Sequence, residues 1–172
     1  MVKYRRYYLP GGTYFFTVTL HNRKSIWLTK YIKELGVVMR SAQVTYPYKV
    51  IAMVVLPEHL HAIWELPEGD KNFSLRWRYI KSQFTKKLLK GSVNIAKNNR
   101  GEYALWQRRF WEHAIRDEKD YQRHVDYIHY NPVKHQLVTC VKDWPYSTFH
   151  RYVKEGIIAE NWCYQNDDMD VE

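Results

Sequence analysis

Cysteine is scarce: the 172 residues contain two, Cys140 and Cys163. They form no CxxC pair and no disulfide framework, so the chain is expected to work in a reducing, cytoplasmic setting. Long apolar runs are missing as well, which excludes a membrane span of ordinary length. The start, Met1-Val2-Lys3-Tyr4-Arg5-Arg6, is followed by no apolar stretch and does not read as a secretory leader. Acidic residues are in short supply. Eighteen Asp and Glu face 27 Lys and Arg, a formal net charge of +9. That imbalance points to a polyanionic partner, nucleic acid first. What is abundant is apolar and aromatic: 45% hydrophobic residues, with 15 tyrosines and 7 tryptophans. The first supports a packed core and excludes wholesale disorder. Rings interleaved with cations also suit base stacking.

No repeat or low-complexity segment divides the chain, and residues 1–155 read as one domain with a tail at 156–172. Tyr14 to Leu20 predicts a strand after the Gly11-Gly12 turn. Thr29 is placed to cap a helix carrying Ile32, Leu35, Met39 and Ala42. Tyr48–Leu56 and His59–Leu66 predict a hairpin around Pro57-Glu58. Phe73, Trp77, Ile80, Phe84 and Leu88 share one helical stripe. Residues 91–103 are polar and read as a mobile loop, and Leu105 to Ile115 as a strand. Asp117 caps a last long helix, expected to close at Asn131-Pro132 because a residue preceding proline is pushed out of helical geometry. The order β-α-β-β-α-β-α predicts an α+β, ferredoxin-like layer: a central antiparallel sheet with helices on a face.

The stretch PEHLHAIW, residues 57–64, holds two histidines one residue apart. Alternation along a strand puts Leu60, Ala62 and Trp64 on one apolar face and His59 and His61 together on the other. Two neutral imidazoles on one face are two ligands toward a divalent cation, and a third must come from elsewhere. No cysteine or HxxxH spacing nearby supports a soft zinc site. Mg²⁺ or Mn²⁺ with an oxygen ligand and substrate phosphate oxygens fits at least as well.

Tyr127 and Asn131 are four apart on the last helix, hence neighbours on its surface. Tyr121, Val125 and Ile128 form its core stripe, and Tyr130 is expected to face solvent. If the helix crosses the sheet beside the histidine strand, His59, His61 and Asn131 could hold one ion next to the Tyr127 hydroxyl. A phenol so placed is a usable nucleophile toward phosphorus. Two other readings remain open: a non-catalytic nucleic-acid-binding module, and a zinc hydrolase drawing on His113 or His124.

These segments together resemble the single-tyrosine HUH transposases. Glu58-His59-Leu60-His61, the run Tyr127 to His135, the opening Tyr4-Arg5-Arg6-Tyr7-Tyr8, Trp106 to His113 and Asp143 to Arg151 resemble the bacterial REP-associated tyrosine transposases. The resemblance spans about residues 3–155. It implies a ferredoxin-like HUH nuclease fold and metal-dependent cleavage of single-stranded DNA at REP-like palindromic hairpins. Tyr127 would be the nucleophile, forming a 5′-phosphotyrosine link, with His59 and His61 as ligands of Mg²⁺ or Mn²⁺. Many relatives carry glutamine as third ligand where this chain has Asn131. The resemblance implies a monomer, although other single-tyrosine relatives form dimers, and a nucleoid-associated location. Candidate DNA contacts are Arg5, Arg6, Arg23, Lys24, Arg76, Arg78, Lys81, Arg108 and Arg109.

Overall fold

The computed structural model describes residues 8–163 and 171. Four strands form one sheet: β1 (Thr13–Thr19), β2 (Lys49–Val55), β3 (His59–Glu65) and β4 (Trp111–Ala114). Their order is β2-β3-β1-β4, and every neighbouring pair is antiparallel. This is the ferredoxin-like antiparallel arrangement expected from the element order.

Alternation along the central strands builds two cores. Tyr14, Phe16 and Val18 of β1 join Leu60, Ala62 and Trp64 of β3 on one face. Two helices cover them: α2 (Ile32–Thr45), preceded by the single turn α1 (Trp27–Lys30), and α3 (Phe73–Lys90). The α3 stripe Phe73, Trp77, Ile80, Phe84 and Leu88 is buried throughout. Phe15, Ile63 and Val54 point to the opposite face, where α4 (Glu118–Lys134) supplies Val125 and Ile128. Helices therefore cover both faces of the sheet, not one.

The β2 edge is closed by the C-terminal segment. A bulge between Val50 and Ala52 takes Ile51 out of the ladder, and α5 (Phe149–Lys154) supplies the missing partners. The Tyr152 hydroxyl donates to the Ile51 carbonyl at 3.1 Å, and Arg151 donates to the same oxygen. Trp144 donates from Nε1 to the Val55 carbonyl at 3.0 Å. An edge strand whose free carbonyls are engaged in this way is protected from pairing with another chain.

Four expectations change. Thr29 lies inside α1, and α2 begins at Ile32, with Tyr31 as an N-cap that makes no side-chain bond. Leu105–Phe110 is not strand, making only an isolated bridge at Trp106 and a bond from the Gln107 amide to Thr19; the ladder with β1 is Trp111–Ala114, over four register positions. Residues 97–103 are held as a small hairpin, its turn closed by Asn98, which accepts from the Arg100 and Glu102 amides. The last helix runs through Pro132 to Lys134.

Candidate active site

His59 and His61 leave β3 on the α4 side of the sheet and are 3% and 1% exposed. Their rings lie 4.9 Å apart, centre to centre. Two imidazoles on one ion, with metal–nitrogen bonds of about 2.1 Å, place ring centres about 5 Å apart, so the pair fits a shared cation. Each ring is held at Nδ1: His59 donates to Glu58 Oε1 at 2.8 Å, and His61 is hydrogen-bonded to the Thr17 hydroxyl at 2.8 Å. Thr17 is the cross-strand partner of His61 in β1. Holding Nδ1 orients the ring so that Nε2 could serve as a ligand atom, as in the usual support of a metal-binding histidine.

The third member comes from α4. Tyr127 is 4% exposed, and its ring centre lies 5.2 Å from that of His61. Asn131, one turn on, is fully buried, and neither its Oδ1 nor its Nδ2 has a hydrogen-bond partner. A buried carboxamide in that condition is costly unless something else meets it. A hard cation bound by Oδ1 would do so.

Electrostatics keep the His61 imidazole neutral and available. Burial, then the neighbouring His59, His135, Lys134 and Arg23, holds His61 well below its ordinary pKa. Burial pushes the Glu58 carboxyl up, but its bond to His59 and the nearby Arg23 outweigh this and leave it below the ordinary value. Arg23 Nη2 stands 3.5 Å from Glu58 Oε1.

A second polar cluster lies along the same helix stripe. Asp120, His124, Tyr127 and Asn131 follow at steps of four, three and four, within about 60° of one another on α4. His124 and His113 do not join the His59–His61 pair. The Phe15 ring stands between, 5.5 Å from His61 and 4.8 Å from His124, so the zinc arrangement using His113 or His124 is not assembled. Cross-strand register is the cause, because Phe15 in β1 pairs with both Ile63 and His113. His113, Asp120 and His124 instead gather with possible ligand atoms within 4.8 Å of one another. Hydrogen bonds engage most of this group, although His124 Nε2 is buried without a partner among the described residues. His113 Nε2 donates to Asp120 Oδ2 at 2.8 Å, His124 Nδ1 to the Asp120 carbonyl at 2.7 Å, and the Arg116 amide to Oδ2 at 2.9 Å. With Arg116 Nε also 3.5 Å from the carboxylate, the cluster ties β4 to the start of α4.

Residues 10–131 match the family model of IS200-like transposases. The chain belongs to this family. It is 52% identical over 163 residues to the REP-associated tyrosine transposase of Escherichia coli K12, covering 95% of this chain and 92% of that one. A Haemophilus influenzae relative, provisionally given the same name, is 48% identical over 164 residues, with 94% and 93% covered. A solved structure described as a REP-associated tyrosine transposase bound to a REP hairpin superposes with a TM-score of 0.85. It is 50% identical, and 96% of this chain and 93% of that chain are covered. The protein is thus one of the REP-associated tyrosine transposases, enzymes that cut and rejoin DNA.

Most of this transposase's candidate DNA-contacting cations are available. Arg23, Lys24, Arg78, Arg108 and Arg109 are exposed, and Lys81 is half-buried, donating to the Gln107 carbonyl at 2.9 Å. Arg5 and Arg6 lie outside the described residues. Arg76 is a correction. It is 2% exposed, paired with Asp70 at 2.7 Å and donating to the Pro47 and Asn72 carbonyls. It fastens the start of α3 to the loop after α2 and cannot reach a phosphate. Tyr130, expected in solvent, is half-buried against the α4-side core.

His135 was not singled out by the sequence reading, yet its ring lies 5.0 Å from that of His59. Lys134 was missed too: its Nζ stands 4.8 Å over the Tyr127 ring. The i+4 spacing from Asn131 could have flagged His135. Thr17 needed the strand register, which no spacing within one segment reveals.

Proposed function

We propose that this transposase is a metal-dependent single-stranded DNA endonuclease and strand transferase acting on REP-like hairpins through a covalent 5′-phosphotyrosine. The observation that carries the reading is the meeting of His61 with Tyr127 at 5.2 Å beside the unsatisfied, buried Asn131 amide. His59, His61 and Asn131 would hold Mg²⁺ or Mn²⁺, which supplies Lewis-acid polarisation of the scissile phosphate. Tyr127 is the nucleophile. Its oxygen forms a bond to phosphorus as the bond to the 3′ oxygen breaks. The phenol proton goes to solvent, and the departing 3′ oxygen takes one up. Lys134, next to the ring, places positive charge where the phenolate and the phosphate gather negative charge. The phosphotyrosine ester keeps the phosphodiester's energy, so attack by a 3′ hydroxyl reverses the step and rejoins DNA without an added energy source. Hairpin DNA is taken as the substrate from the similar protein whose structure holds a REP hairpin. The basic surface suits that partner, and nucleoid association would follow.

The test is incubation with a labelled single-stranded hairpin and Mn²⁺ or Mg²⁺. Wild type is expected to give a cleaved strand and a protein–DNA adduct that survives SDS. Tyr127→Phe should lose both by at least about a thousandfold, the scale of losing a nucleophile. Equal cleavage by the Phe variant would overturn the assignment of Tyr127. Full activity in EDTA would remove the metal.

A further inference from the structure

A groove of about 720 Å³ opens on the α3 side of the molecule, away from Tyr127. One wall is α3, with Lys81 and Lys86; the other is the 98–108 segment, with Tyr103, Trp106 and Arg108; His21 lines it as well. Backbone bonds join this groove to the candidate ion site. Thr19 is the register partner of His59, the Leu20 amide donates to the Glu58 carbonyl at 2.7 Å, and the His21 amide donates to Leu105 at 2.9 Å. His21 is thus two residues from the partner of a proposed metal ligand, about 7 Å of extended chain.

The lining has the composition of a single-strand track. Tyr103 is 42% exposed, with Lys97 Nζ 5.0 Å over its ring. Lys86 and Arg108 are exposed and make no ion pair among the described residues. Glu102, the one acid of the lining, is engaged by Asn98 Nδ2 at 3.1 Å. Trp106 Nε1 is a buried donor without an acceptor. The exposed Tyr103 ring beside Lys86 and Arg108 fits a base on an aromatic face and phosphates on Lys and Arg. A duplex stem hides its base faces, so a stacking surface selects unpaired nucleotides.

We propose that this groove binds the unpaired nucleotides adjoining the scissile phosphate, with Tyr103 stacking on a base and Lys86 and Arg108 holding phosphates. The proposal rests on the strand-cleaving reading above and extends it to a second surface.

The test is binding, in a Tyr127→Phe background that prevents cleavage. The probes are a blunt hairpin and the same hairpin with a single-stranded extension carrying 2-aminopurine. Fluorescence of the extension should be quenched on binding. Tyr103→Ala should restore it and weaken the extended probe about tenfold, the size of one lost base stack. Tyr103→Phe should retain quenching. Lys86→Ala with Arg108→Ala should lower the salt slope for the extended probe by about two contacts and leave the blunt probe unchanged. Equal losses for both probes, or no loss for either, overturn the groove assignment. Tyr103 is on the surface, and an unchanged melting temperature verifies that its variants fold. A wild-type protein that binds and quenches the probe but forms no adduct would sink the cleavage reading and leave the groove standing.

Discussion

Asn131 puts a carboxamide into the α4-side core with no hydrogen-bond partner among the described residues. An apolar core would be more stable there, so the residue reads as stability given up for a site. Asn131→Leu, which keeps the branch at Cγ, should raise metal-free stability by about 1 kcal/mol. It should also abolish the rise in melting temperature that Mn²⁺ is expected to give the wild type if it binds only the folded state, as proposed. Urea unfolding with and without Mn²⁺ checks both. A variant less stable than wild type in EDTA would show that the amide is satisfied by protein or water. At this scale the sequence was readable where one segment held the whole pattern. His59 and His61 share a face because strands alternate, and Tyr127 and Asn131 are neighbours because helices repeat. It was unreadable where the partner lay in another segment. Arg76 looked like one more exposed cation of α3, and only the loop at Pro47 and Asp70 shows it to be an internal fastener.

The elements α3 and α4 end alike, and neither ending uses glycine at the position that favours it. After α4, Gln136 takes a left-handed φ of 57°, its amide donates to Val133, and Leu137 donates to Pro132. After α3, Ser92 takes φ 62° with the same two bonds, although Gly91 is next to it. A side chain in that conformation costs about 1–2 kcal/mol, which glycine avoids. Part of that gain is offset by the freedom glycine has when unfolded. Gln136→Gly should therefore stabilise by about 0.5–1 kcal/mol with unchanged cleavage, as read from urea midpoints and adduct yield. A destabilised variant would mean that the Gln136 side chain contributes more than its strain costs. The same ending explains why α4 outran its expected stop. Proline removes one amide and disfavours the residue before it, but Asn131 and Pro132 lie in the buried stretch of the helix. Packing against the sheet outweighed the local preference. Strand β4 failed the opposite way: Leu105 and Phe110 are apolar because they pack on the α3 side, not because they lie in the strand ladder.

Across the molecule, several imidazoles are buried in neutral form. Burial, with Arg151 and His150 nearby, brings His129 down to about 3, and His61 and His124 are also lowered, chiefly by burial. A histidine depressed in the fold binds its proton more readily when unfolded, near 6.5. Its contribution is present above that pH and is lost as pH falls toward the folded value. Stability should be flat from pH 8 to 7 and then fall, with a limiting slope of about 1.4 kcal/mol per pH unit for each such group. Urea midpoints between pH 8 and 4.5 measure it, and a midpoint unchanged down to pH 5 would contradict burial of uncharged rings. Charge and fold class were legible from composition and element order. The use of both sheet faces was not, because it depends on which side α4 returns. That return has a consequence for counting. His59 and His61 on β3 and Tyr127 and Asn131 on α4 all belong to one polypeptide, with a single tyrosine at the centre. On the proposed phosphotyrosine chemistry, a centre joined to a strand is spent until the ester is resolved. One copy can thus hold one broken end at a time, and freeing a segment of DNA at both ends takes two copies or two successive turnovers.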